Sequence, residues 1–196
     1  MKLGLNLKTH QWDDTHLRLA RQLGCESVVA WMPLPPGDGV WHVEDLRRIK
    51  SQANAHGLEL AAIENLPPAH WDKILLGEPG RDEQMANLRQ TVRNLGTAGI
   101  PCLGYYFSVV GVWGHKPKAP NGRGGASLKS FNLTEIPTHE PPNNQDVWTN
   151  TTLAHRDSNR TIPSASEESM WERLSYFITN LVPVAEESGV KLAAHP

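Results

Sequence analysis

The residues with the most chemical reach in this chain stand at the carboxyl ends of short apolar runs. Val190-Lys191-Leu192-Ala193-Ala194 delivers His195, followed by Pro196. An imidazole at the end of a barrel strand is a common way to hold a divalent cation or a reacting proton. A single imidazole binds a divalent cation weakly, so His195 reads as one member of a larger donor set. Glu64 closes a second run, Leu58–Glu64, where a charge simply buried would be costly. It is expected either to face a ligand or metal, or to pair with a lysine, an arginine or the next turn. Tyr105 and Tyr106 end a third run, and side-chain alternation lets only one of them point to a given face. Tyr106 is the candidate for a ligand-contacting hydroxyl, with aromatic packing as the other reading. Trp31 ends a fourth run as a stacking platform or as core. Arg123, inside Gly122-Arg123-Gly124-Gly125-Ala126, carries a guanidinium suited to bidentate capture of a carboxylate, or simply to a solvated loop. The histidines at 10, 42, 56, 70, 115, 139 and 155 show no H-x-x-x-H spacing and are expected at the surface or in packing.

These positions need a frame that brings strand ends together. Lys2–Leu7 reads as a first strand and Asp13–Leu23 as a helix, with Asp13 or Asp14 as its cap. Leu17, Ala20 and Leu23 are its expected buried face. Glu26–Trp31 is a second strand whose Val28-Val29-Ala30 run suits burial on both sides. A proline- and glycine-rich loop, Pro33 to Trp41, leads to a helix over Val43–His56 that Gly57 ends. Leu58–Glu64 is a third strand, Arg81–Ala98 a helix ended by Gly99, and Pro101–Phe107 a fourth strand. Glu167–Ser188 is a helix ended by Gly189, and Val190–Ala194 a fifth strand. Three of these units repeat one grammar: helix, glycine, apolar strand, then a polar or aromatic residue at the strand's end. Strands joined by crossover helices run parallel, which predicts an α/β barrel or a doubly wound sheet. Leu7-Lys8-Thr9-His10 is not a glycine-rich phosphate loop, so the barrel is preferred. The expectation is a single domain over residues 1–196 with a long insertion at about 108–166, read as a lid.

Composition narrows the partners. A formal net charge of −2 over 196 residues, without a basic stripe, gives no reason to expect nucleic acid or an anionic membrane. No stretch approaches the ~20 apolar residues needed to span a bilayer. The amino terminus is too short in apolar residues for a signal peptide, and Cys25 and Cys102 make no disulfide framework. The reading is a cytoplasmic protein, so the Asn-x-Thr triplets at Asn132, Asn150 and Asn159 are read as chance.

Several segments resemble one known family. Asn87-Leu88-Arg89-Gln90-Thr91-Val92-Arg93-Asn94-Leu95 with Ala98-Gly99-Ile100 is similar to the third barrel helix of D-mannonate dehydratases. Val182 through Pro196 resembles that family's run into its first metal histidine, which would be His195. Glu64-Asn65-Leu66-Pro67 resembles the E-S-x-P turn after the third strand, and Gly39-Val40-Trp41 with Val43-Glu44 the approach to the second helix. The resemblance implies a xylose-isomerase-like (β/α)₈ TIM barrel, incomplete here with about five strands of the eight required. It implies dehydration of D-mannonate to 2-keto-3-deoxy-D-gluconate with Mn²⁺, Fe²⁺ or another divalent ion. A cation polarising the carboxylate, a base and an acid are what loss of a weakly acidic α-proton and a hydroxyl requires. The catalytic acid and base and the remaining ligands are expected from a second half, which leaves this chain alone expected to be inactive.

Three stretches differ from the family pattern. Trp31-Met32-Pro33 stands where the family carries a His-His pair, and Tyr105-Tyr106-Phe107-Ser108-Val109 where it carries Y-N-F-M-P. Leu3-Gly4-Leu5-Asn6-Leu7 replaces a tryptophan-rich first strand. These fall at substrate-facing strand ends and bear on the substrate more than on the fold. Two other readings follow: a xylose-isomerase-like sugar isomerase or epimerase, and a non-catalytic half-barrel acting by association. The partner expected is a small sugar acid, with a homo-oligomer possible on the open edge of the last strand.

Overall fold

A computed structural model describes residues 2–32, 37–67, 70–108 and 165–195, and between these last two only 112–113, 115–116, 122–126, 130–131, 134 and 147–148. In chain order the elements are β1 (Gly4–Leu7), α1 (Asp14–Gln22), β2 (Ser27–Trp31), α2 (Val43–Ala55), β3 (Glu59–Glu64), α3 (Asp72–Leu76), α4 (Arg81–Ala98) and β4 (Cys102–Tyr105). Four two-residue strands follow, β5 (Val112–Trp113), β6 (His115–Lys116), β7 (Ser130–Phe131) and β8 (Val147–Trp148), and then α5 (Glu167–Glu187) and β9 (Lys191–Ala194). The chain divides into two compact units, Met1–Phe107 with Ser164–Pro196, and Ser108–Pro163. Within the second unit β5 pairs with β8 and β6 with β7, both antiparallel.

The first unit is a five-stranded sheet in the order β1-β2-β3-β4-β9, every pair parallel. Each return from one strand to the next runs through a helix, as parallel pairing demands. The sequence anticipates all five strands to within three residues at either end. Asp13 is the cap of α1, its carboxylate accepting from the His16 amide at 2.9 Å. Gly24, Gly57, Gly99 and Gly189, which follow the four long helices, all have φ between +67° and +84°, where a β-carbon is disfavoured. Two details differ from expectation. Leu23 lies beyond the end of α1 and is 58% exposed, so the buried face of that helix is Leu17 and Ala20. The short helix α3 was not anticipated, because five residues are too few to show a helical period. It is held by Gln84 of α4, whose Oε1 accepts from the amides of Lys73 and Ile74 at 2.9 and 3.2 Å while its Nε2 donates to Asp72.

Burial alternates along the strands. Leu7, Val28, Ala30, Leu60, Ile63 and Leu103 are shut away, whereas Asn6, Val29, Trp31, Ala62, Glu64 and Gly104 retain exposure. The first set shares a face by register, with Ala30 opposite Ile63 and Ile63 opposite Leu103. Between Val28 and Val29 the register slips by one, so that Ala61 is the extra residue and both flanking segments keep their apolar side chains on that face. The helices cover this outer side; the inner side is the one that would line the interior of a closed barrel.

Two of those helices meet backbone to backbone. A β-carbon on Gly96 of α4 would lie 2.4 Å from the carbonyl oxygen of Ser188, just past α5. Gly96→Ala should therefore destabilise by about 1–3 kcal/mol through overpacking, against the ~1 kcal/mol that alanine gains over glycine in a helix. Urea midpoints of the two proteins decide it, and an unchanged or raised midpoint for the variant would show that α4 and α5 separate without strain.

Candidate functional site

Glu64 lies at the end of β3, paired in register with Trp31 at the end of β2. Both side chains are on the inner side and partly exposed. Among the described residues the Glu64 side chain has no hydrogen-bonding or ion-pair partner. Gly104 of β4 sits beside it: a β-carbon there would lie 3.5 Å from the Glu64 Cα and 3.2 Å from the Asn65 nitrogen. The carboxylate thus faces a strand position without a side chain. Asn65 turns the chain out of the sheet with φ of 37°, and its buried Oδ1 has no hydrogen-bond partner.

β9 is locked to β4 with Cys102, Leu103, Gly104 and Tyr105 opposite Lys191, Leu192, Ala193 and Ala194. The His195 amide continues this register by donating to the Tyr105 carbonyl at 2.7 Å. By alternation His195 follows Ala193 on the inner side, the side of Glu64 and Trp31. Glu64 and His195 are separated by two strand spacings, roughly 10 Å across the sheet. Cys102 shares that side; burial pushes its thiol pKa up and the neighbouring Lys191 opposes this only in part, which leaves it a poor nucleophile.

Tyr105 packs its ring 5.2 Å from Phe177 of α5, on the helix side. Tyr106 stands edge-on to the buried Trp71 at 4.8 Å, and Phe107 joins Trp71 and Phe177. Arg123 belongs to the second unit, exposed at the start of a 3₁₀ turn over Arg123–Gly125. Most of the 108–166 insertion, with the lid reading attached to it, and His139 and His155 lie outside the described residues. Among the described residues no three of the His, Cys, Asp and Glu side chains come together as a metal cluster. The donors among the described residues therefore do not by themselves fit a divalent-metal centre.

A family model for D-mannonate dehydratase matches residues 1–196. The chain belongs to that family. The mannonate dehydratase of Streptococcus pneumoniae is 33% identical over 181 residues, covering 88% of this chain and 48% of the relative. The crystal structure of mannonate dehydratase from Streptococcus suis serotype 2 superposes with a TM-score of 0.76 at 29% identity, over 100% of this chain and 52% of that one. A xylose isomerase domain protein from Planctomyces limnophilus gives a TM-score of 0.53 at 12% identity over 98% of this chain and 53% of its own, a likeness of fold alone. The chain thus spans about half the length of the mannonate dehydratases it matches, and its five parallel strands are part of a xylose-isomerase-like barrel.

One buried group of this family member stood out in sequence only as an ordinary histidine. His70 is 1% exposed, neither ring nitrogen has a hydrogen-bond partner, and its ring meets Trp41 edge-on at 4.4 Å. Desolvation lowers its pKa from 6.5 to about 4. The folded state thus holds fewer protons than the unfolded chain between these values. Stability is fully present above pH 6.5 and falls as pH drops toward 4, by on the order of 3 kcal/mol. His70→Leu should flatten that acid-side slope in urea titrations; a slope as steep as that of the parent would place the acid sensitivity elsewhere.

Proposed function

We propose that this chain is the amino-terminal part of a protein that dehydrates D-mannonate to 2-keto-3-deoxy-D-gluconate. The observation that carries this reading is the half-buried Glu64 carboxylate, without a partner among the described residues, on the same sheet side as Trp31 and His195. A bare carboxylate at a strand end is costly unless something charged or polar meets it. In this proposal Glu64 meets hydroxyls of the sugar acid or a cation. Trp31 offers the sugar an apolar face, Tyr106 a hydroxyl, and Arg123 a two-pronged partner for the substrate carboxylate. His195 is one ligand of a divalent ion, Mn²⁺ or Fe²⁺. The other ligands and the acid and base belong to the length of the relatives that this chain does not span.

Two further parts of the proposal rest on the same ground. The 108–166 segment is an insertion in one barrel domain over residues 1–196. The 196-residue chain by itself is inactive, since a lone imidazole holds such a metal weakly. A cytoplasmic location is part of the same proposal; among the described residues no helix is long and apolar enough to cross a membrane. The isomerase or epimerase reading is less well supported: 33% identity to a mannonate dehydratase stands against 12% to the xylose isomerase domain protein.

The test is an assay of the protein as its source organism makes it, with D-mannonate and with Mn²⁺ present or chelated. The expected result is metal-dependent release of the 2-keto acid, reduced at least ~100-fold in His195→Ala, since even outer partners of metal ligands cost ~10–100-fold. Rearrangement of a sugar without loss of water would favour the isomerase reading. Neither reaction would leave association as the role of this fold.

A further inference from the structure

Trp71 is 2% exposed and caps the amino end of α3, and its polar and apolar parts go to two different strand ends. Its indole N–H donates to the Leu66 carbonyl at 3.0 Å, two residues beyond Glu64. Its ring meets Tyr106 edge-on at 4.8 Å, with the planes at 88°, and Phe107 at 5.9 Å. Leu66 follows β3 and Tyr106 follows β4. One side chain therefore touches both segments that leave the inner side of the sheet at Glu64 and Gly104. Its base is firm as well: the Trp71 carbonyl accepts from the Leu75 amide at 2.9 Å, and Gln84 holds the next amides of α3.

Core filling accounts for a buried tryptophan, and a buried indole N–H normally finds an acceptor. It does not account for the state of the turn that this indole holds. Asn65, between Glu64 and Leu66, is the one non-glycine residue with positive φ among the described residues, at 37°, and its sealed Oδ1 has no partner. Both features are unfavourable, and such a conformation persists only where its surroundings over-determine it. Two contacts do so here. Trp71 clamps the Leu66 carbonyl on one side. On the other, Gly104 admits the Asn65 nitrogen to a place where a β-carbon would press to 3.2 Å from it. Glu64 immediately precedes this constrained residue, so the clamp sets the direction in which its carboxylate leaves the strand. The same indole bounds the ring of Tyr106.

We propose that Trp71 is a positioning residue, which holds Glu64 and Tyr106 in one fixed relation for the substrate and touches no substrate itself. The identity of that substrate rests on the dehydratase reading, whereas the positioning is open to test without turnover.

NMR of the 196-residue chain is the first arm. The Trp71 indole proton should exchange slowly and show an Overhauser effect to the Tyr106 ring. Trp71→Phe, which keeps an aromatic ring and removes the N–H, should broaden the Asn65–Leu66 and Tyr106 signals together. A rapidly exchanging indole proton, or broadening confined to one of the two segments, overturns the proposal. The second arm is a double-mutant cycle on kcat/KM for D-mannonate, in the protein as its source organism makes it. Trp71→Phe should lower kcat/KM about tenfold, a modest value for misplaced substrate contacts. With Glu64→Gln already present, the further loss should be less than about twofold, because the two act through one group. An equal loss in both backgrounds makes Trp71 a core residue only and overturns the proposal. Asn65→Gly decides should Trp71→Phe not fold. Glycine accepts the positive φ, so the urea midpoint should hold while kcat/KM drops at least about threefold. Unchanged kcat/KM in that variant counts against the positioning role. A parent that does not dehydrate D-mannonate removes the dehydratase reading, and the NMR arm then decides the positioning alone.

Discussion

A parallel strand can be added to a sheet only after the chain has travelled back along the whole sheet, and here every return is made through a helix. The helices must bury an apolar stripe, and the side of the sheet they cross is where they bury it. This constraint decides the rest of the structure. It makes Leu7, Val28, Ala30, Leu60, Ile63 and Leu103 a sealed layer. By the two-residue period of a strand it leaves Val29, Trp31, Ala62, Glu64, Gly104 and Ala193 on the other side. The slip between Val28 and Val29 shows how firmly the constraint holds: one residue of β3 is displaced so that both Leu60 and Ile63 reach the sealed layer. Without that bulge Glu64 would turn toward the helices.

Chemistry follows from the inner side being spared. Several positions there are small, such as Ala62, Gly104 and Ala193, and others end in a reactive group, such as Glu64 and His195. Small residues beside a carboxylate leave space where a larger side chain would fill it. β4 has a divided role, since Tyr105 anchors α5 through Phe177 while Gly104 keeps the space beside Glu64 open. The alternation that makes Tyr105 a packing residue is the same one that carries His195 to the inner side through β9.

Much of this was legible in the sequence for physical reasons. Long amphipathic helices closed by glycine, each followed by an apolar run, dictate crossover units, and Gly57, Gly99 and Gly189 adopt the left-handed backbone expected of them, as does Gly24, which the sequence reading did not single out. Strand-end residues were legible because an apolar run makes a terminal Glu or His conspicuous. Other features were hidden. Leu23 continues a helical spacing that the chain abandons one residue earlier, at Gln22. α3 depends on Gln84, eight residues beyond its last turn, for its amino-terminal hydrogen bonds, a long-range contact that no local pattern reports. His70 was read with the other histidines as a surface or packing residue, and its edge contact with Trp41, which is distant in sequence, is what no local pattern reports. Trp12 and Gln52 are 40 residues apart and meet only when α1 and α2 are laid on the sheet.

The central claim is that β9, in register on β4, delivers His195 to the side of the sheet that carries Glu64. Native-state hydrogen exchange at the Lys191 and His195 amides tests it most directly, because these donate to Pro101 and Tyr105 across that pairing. The account predicts protection at both positions that is lost together with the protection of β4. Open-chain exchange at Lys191 and His195, with β1 to β3 still protected, would contradict it and would remove His195 from the site.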